Sequence, residues 1–176
     1  MSLTVSLDKA SLGTEKDIED FYRTLLNSSV YLLAEKKSQQ SLPLVNQDGE
    51  DAHAFVVIDN EGHQTIPFFS EKEFIVEWTG IPLEEALHLE IVEKKFSSLL
   101  WMIKEDTWLY INPAQELGKE ISPWEIARLK KGKDAISEIA AEIMESIRAV
   151  TEVDTARSQY PKLEKLIRPI LEIYPE

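Results

Sequence analysis

Cysteine is absent from this 176-residue chain, which excludes a disulfide framework, thiolate zinc ligation and a cysteine nucleophile. Glycine is scarce, with six residues at positions 13, 49, 62, 80, 118 and 132. None of them forms the Gly-rich loop that lets backbone N–H groups close on a phosphate. Histidine is limited to His53, His63 and His88, without HxH or HxxxH spacing. His53 and His63 bracket a hairpin near Asp59 and Glu61, where they read as solvated residues rather than metal ligands. No serine stands in a Gly-x-Ser-x-Gly elbow,. Positive charge is in deficit, 19 Lys and Arg against 32 Asp and Glu, for a net −13. Such a surface repels nucleic acid and anionic lipid. The longest apolar run, Leu99 to Ile103, falls far short of the ~20 residues that cross a bilayer,. Residues 1–13 mix polar and apolar types without a basic start and an apolar core,. The expectation is a cytoplasmic protein with no cofactor, no metal, and neither nucleic acid nor membrane as partner.

What the chain does hold is acidity spread along its whole length, without a run of five or six like charges,. Several carboxylates mark helix starts. Thr14 with Asp17, Ser70 with Glu73 and Ser122 with Glu125 each set a hydroxyl three residues before an acid, the capping-box spacing,. Pro123 follows Ser122 at the first helical position, where its missing N–H costs nothing. Helices are therefore expected over Glu15–Asn27, Glu71–Trp78 and Pro123–Lys131, with Gly80 and Gly132 as stops. Ile18, Phe21, Tyr22, Leu25 and Leu26 lay an apolar stripe along the first,.

Strands are expected at Val30–Leu33, at His53–Asp59 and Gln64–Phe69 (a hairpin turning through residues 60–63), at Ala86–Val92 and at Thr107–Ile111. Pro67 cannot donate to a ladder, which predicts an edge or a bulge there. Helix competes with strand over Ala86–Val92, and a helix is expected over Glu93–Ile103. Residues 35–51 read as a long polar loop. The order of elements implies an α+β fold, a single mixed or antiparallel sheet with helices packed on it, followed by a C-terminal helical extension.

Beyond Gly132, Ile136, Ile139, Ala140, Ile143, Met144, Ile147 and Val150 form a narrow stripe at helical spacing,. Ile139, Ile143 and Ile147 read either as core or as an interface to a partner protein or a second copy through the 133–150 helix. Thr151–Ser158 reads as a linker. Pro161–Tyr174 reads as another amphipathic segment, broken at Pro169. The four tryptophans, Trp78, Trp101, Trp108 and Trp124, are expected in the core, with Trp78 and Trp124 partly exposed and Trp124 a candidate contact residue. Paired carboxylates such as Glu84 and Glu85 abound, but no pattern marks one as buried and shifted for acid–base work. No catalytic residue is assigned.

Three segments carry a family resemblance: Phe21–Tyr31 (FYRTLLNSSVY), Ile66–Phe74 (IPFFSEKEF), and Leu109–Pro113 followed by Ile121–Ile126. In this order they resemble the N-terminal domain of the SseB family, named for enhanced serine sensitivity. Ala114 stands where the family has glycine after Asn-Pro. The resemblance implies an SseB-like α+β domain over residues 14–132, with 133–176 a helical extension or the start of a C-terminal domain in a truncated two-domain protein. It implies a regulatory or protein-interaction role without known catalytic residues. The alternative is an amino-acid-binding or weakly hydrolytic protein with a pocket near Asn112.

Overall fold

In the computed structural model, residues 2–11, 13–36, 55–60, 62–80, 88–113 and 115–159 are described, the last eight of them as backbone only. The polar stretch 37–51, His53, the Glu84/Glu85 pair, Ala114 and the 161–174 segment with its expected break at Pro169 lie outside these residues.

Among the described residues, six helices pack on one mixed six-stranded sheet. Strands β1 (Ser29–Glu35), β3 (His63–Phe69), β4 (Leu89–Lys95), β5 (Trp108–Ile111) and β6 (Lys119–Ile121) run in the spatial order β4-β1-β3-β5-β6. A short β2 (Ile58–Asn60) pairs with β3. All pairings are antiparallel except β3 with β5. One sheet face presents Val30, Leu32, Ile66, Phe68, Leu109 and Ile111, all buried in the main core. The helices α1 (Leu3–Ser11), α2 (Glu15–Asn27), α4 (Phe96–Met102), α5 (Pro123–Lys130) and α6 (Ile136–Gln159) supply residues that cover it. A single 3-10 turn, Lys133–Ala135, leads into α6. On the opposite face, α3 (Lys72–Thr79) lays Ile75 on Leu33 and Phe69.

Local chemistry explains most boundaries. Thr14 Oγ1 accepts from the Asp17 N–H at 3.2 Å and starts α2. At α5 the capping box is complete: the Glu125 N–H donates to Ser122 Oγ, and the Ser122 N–H donates to the Glu125 carboxylate at 2.6 Å. Gly80 ends α3 at φ 63, a left-handed conformation that glycine adopts at little cost,.

Five expectations need correction. The strand expected over Ala86–Val92, where Ala86 lies outside the described residues, is described from Leu89 and runs through Lys95, so the helix expected from Glu93 begins only at Phe96. The reason is register: seven consecutive pairs join β4 to β1, with Glu93, Lys94 and Lys95 opposite Tyr31, Val30 and Ser29. Ser70 does not cap α3; its hydroxyl is drawn to Asn112 and Thr4. Pro67 is neither on an edge strand nor at a bulge but in the central strand. The Asn112 N–H donates to Phe68 O, so the polar groups of Phe68 face β5 and the nitrogen of Pro67 faces the other way,. On that side the ladder passes from β2, which ends opposite Thr65, to β1, which begins opposite Phe68. A missing donor at this handover breaks no ladder bond.

The Thr151–Ser158 stretch is helix rather than linker, because α6 runs to Gln159. Glycine and proline are both missing between Lys133 and Gln159, and polar composition sets exposure without stopping helical bonding. The last correction concerns Trp101, which is 71% exposed rather than in the core; Trp78 and Trp124 are partly exposed, as expected, and pack against the core clusters.

Two elements have no counterpart in the sequence reading. Helix α1 sets only Leu3, Ser6 and Leu7 inward, with Ser6 Oγ tied to Leu3 O at 2.8 Å. Two buried leucines in nine residues make too narrow a stripe to read. Strand β6 has three residues, too few for an alternation.

Candidate functional site

The apolar stripe of α6 divides in two. Ile136, Ile139 and Ala140 are fully buried against the main core, and Ile139 is 0% exposed. One and two turns further on, Ile143 and Met144 are half-buried, Ile147 is 45% exposed and Val150 is 62% exposed. A helix of 3.6 residues per turn keeps all of them on one face. The same face thus leaves the core while remaining apolar.

Where it leaves, it forms one wall of a groove with a volume of about 270 Å³. Ile143 and Ile147 face Leu7 and Ala10 of α1, Ile18 and Phe21 of α2, and Leu117 ahead of β6. Two charged residues line the groove, Glu116 and Lys119, and residues 136–150 of α6 carry three glutamates and Arg148. Glu142 and Glu145 are exposed beside the stripe. A second depression, at Arg23, Thr24, Asn27 and Ser28, is polar. Its side chains bond their own helix: Asn27 Nδ2 donates to Arg23 O, and Ser28 Oγ to Thr24 O, each at 2.7 Å.

Behind the groove lies a buried polar cluster. Glu125 is 6% exposed, and its carboxylate accepts from the Tyr22 hydroxyl, from Lys119 Nζ at 2.9 Å and from the Ser122 N–H. Lys119 also lines the groove, and its Nζ lies 5.8 Å from the Tyr22 ring centroid. Burial raises the Glu125 carboxyl, but the Lys119 charge, the Tyr22 hydroxyl and the Ser122 N–H together outweigh it and hold the group below its ordinary value. Burial first, and then the Glu125 charge, push the Tyr22 hydroxyl well above its ordinary value. The cluster joins α2, β6 and α5. In the sequence Glu125 shows only as a capping residue, and the clue to its second role is Tyr22, whose hydroxyl must find a partner if its stripe is buried.

The other sequence candidates lie apart from the groove. Trp124 is half-buried on α5, with the Arg128 guanidinium 3.8 Å from its ring centroid. Arg128 in turn sits 3.7 Å from Glu138 and 3.8 Å from Glu142, so Trp124 ties α5 to the start of α6. Asn112 is buried at the end of β5 with φ 51. Its Oδ1 accepts from the Ser70 N–H at 2.9 Å, and its Nδ2 donates to Ser70 Oγ at 3.0 Å. The side chain holds the end of β3 against the end of β5. Asn112→Ala is expected to cost about 2 kcal/mol, because it leaves the Ser70 N–H without its acceptor and places an alanine in a left-handed conformation. Asn112→Gly escapes the second cost and should unfold at a higher urea concentration than the alanine variant.

Among the described residues no three His, Asp or Glu gather as a metal site, and no helix is long and apolar enough to cross a membrane. The family described as "SseB protein N-terminal domain" matches residues 5–128, spanning α1 to α5 and leaving α6 outside. No curated protein and no solved structure matches the chain.

Proposed function

The chain belongs to the SseB N-terminal domain family, and we propose that it serves as a non-enzymatic, cytoplasmic protein-interaction module whose contact surface is the outer half of the α6 stripe and the groove beside it. The single observation behind this reading is the stripe itself, which runs from full burial at Ile139 to 62% exposure at Val150 without becoming polar. Large aliphatic residues in register beside a groove are the form in which a helix presents anchors to a partner. The groove, about 270 Å³, has room for side chains entering from a partner.

Charge narrows the partner. A second copy would bring another −13 to a helix that already exposes Glu142 and Glu145 beside the stripe, and like charges across an interface oppose association. An amphipathic helix with an apolar face and flanking lysines or arginines complements both the groove and those carboxylates.

The test is anisotropy of a fluorescein-labelled amphipathic Leu/Lys peptide, with a peptide of the same composition in scrambled order as control. The intact protein is expected to bind the amphipathic peptide at least tenfold more tightly than the scrambled one. Ile147→Asp with Val150→Asp should remove that preference while the protein stays folded by circular dichroism, since Ile147 is 45% and Val150 62% exposed,. Equal binding of the two peptides, or a preference that survives the double substitution, would sink the reading.

A further inference from the structure

The most exposed large apolar side chain described is not on α6. Trp101, in the last turn of α4, is 71% exposed. Lys130 of α5 sits over it, Nζ 5.7 Å from the ring centroid. Lys131 and Lys133 follow, both exposed, and residues 129–134 carry a net +2 within a chain of net −13; Arg128 before them is engaged by Glu138 and Glu142. The ring thus stands beside one cation, Lys130, at the head of a short basic segment.

The lysines have a local use. Lys130 stands in the last turn of α5 and Lys131 caps it, where cations complement the partial negative charge of the helix end. That accounts for the charges and leaves the tryptophan unexplained. Phe96, Leu99, Leu100 and Ile103 form the buried stripe of α4, and Trp101 falls on the opposite face of the helix, where packing within the fold does not call for a large aromatic ring. A tryptophan costs little side-chain entropy to order and buries a large area, so it is the residue type most enriched at binding hot spots.

We propose that Trp101 with Lys130, Lys131 and Lys133 forms a second docking patch, which receives an acidic segment of a partner protein carrying one apolar side chain onto the indole. Charge complementarity selects this occupant. The lysines attract carboxylates, and an apolar side chain set among those carboxylates buries against the indole. The patch lies on α4 and α5, elements distinct from the groove on α1, α2 and α6, and it stands independently of the function proposed above.

The test uses the intact protein and a fluorescein-labelled peptide of three glutamates, one leucine and three glutamates, followed by anisotropy at low ionic strength. Saturable binding is expected, weakened at least threefold between 50 and 300 mM salt. Trp101→Ala should weaken it at least fivefold, as should Lys130→Glu with Lys131→Glu, with circular-dichroism melts unchanged for the exposed tryptophan. Ile147→Asp should leave it unaltered, which separates this patch from the α6 surface. Absence of binding, binding indifferent to Trp101→Ala, or equal binding of the lysine counterpart peptide would overturn the proposal. So would a dimer in light scattering that Trp101→Ala dissociates, because the patch would then belong to a second copy.

Discussion

Glu125→Ala is expected to destabilise the protein by about 3 kcal/mol in urea unfolding, the sum of two losses. The capping box of α5 disappears, worth about 1 kcal/mol. The Tyr22 hydroxyl, on a side chain with 0% exposure, loses its acceptor at a desolvation cost of about 1–3 kcal/mol. Lys119 adds less, because its side chain is 30% exposed and its charge stays partly hydrated,. Tyr22→Phe should cost only about 1 kcal/mol, and combining it with Glu125→Ala should cost less than the two separately, since the orphaned hydroxyl is gone.

The same cluster sets a pH dependence whose sign can be worked out. The Glu125 carboxyl is held below its ordinary value in the folded protein, so between the folded and unfolded values the unfolded chain binds more protons. Its stabilisation is therefore present above ~4.3, the unfolded value, and is lost as pH falls through the lower folded value. Tyr22 works in the opposite direction, with its folded value raised. Its contribution is present below ~10 and is lost as pH rises beyond that. Urea midpoints measured against pH should show a flatter acid limb in Glu125→Gln and a flatter alkaline limb in Tyr22→Phe.

Within α6, Ile139→Ala is expected to cost about 3 kcal/mol, the loss of a buried side chain plus the cavity it leaves. Ile147→Ala, two turns along the same face, is expected to cost under about 1 kcal/mol, because nearly half of that side chain is solvated in the folded protein,. The periodicity of the two isoleucines is identical, so their difference comes only from what lies opposite. Ile139 meets the main core, whereas Ile147 meets the open groove. Urea titrations of both variants check the contrast, and similar losses at the two positions would mean that the stripe is covered along its length.

The pair also shows what could be read from the sequence. Helix α2 was legible to its ends, because Thr14, the apolar stripe and the change of pattern at Ser28–Val30 agree on one answer. The capping box at Ser122 was equally legible, since its donors and acceptors lie within four residues. Long-range competition was not. Ser70 has the capping spacing, but Asn112, forty-two residues away, takes its hydroxyl. Residues 93–95 are good helix formers, and a seven-pair ladder with β1 holds them extended. Pro67 is tolerated in mid-sheet because β2 and β1 meet beside it, an accident of topology that no local pattern carries.

The candidate site was legible by half. Ile143 and Ile147 stood out by spacing and do line the groove, as do Ile18 and Phe21 of the α2 stripe, but its remaining walls come from α1 and from Leu117, which carry weak patterns. Exposure of Trp101 was encoded, because the spacing of Phe96, Leu99, Leu100 and Ile103 sets position 101 on the opposite face of α4; the preference of tryptophan for cores points the other way. Glu125 hid behind its capping role, and what an element packs against is information that periodicity does not encode.

The most direct test of the α6 surface is hydrogen exchange followed by mass spectrometry, with and without the amphipathic Leu/Lys peptide. Amides of an unpartnered helix open locally more often than those on the core. The expected result is slowed exchange confined to peptides covering residues 143–151 of α6 and 3–11 of α1, with β1, β3 and β5 unchanged. Slowing elsewhere with none in those two segments, or no slowing at saturating peptide, would contradict the assignment of this face as the contact surface.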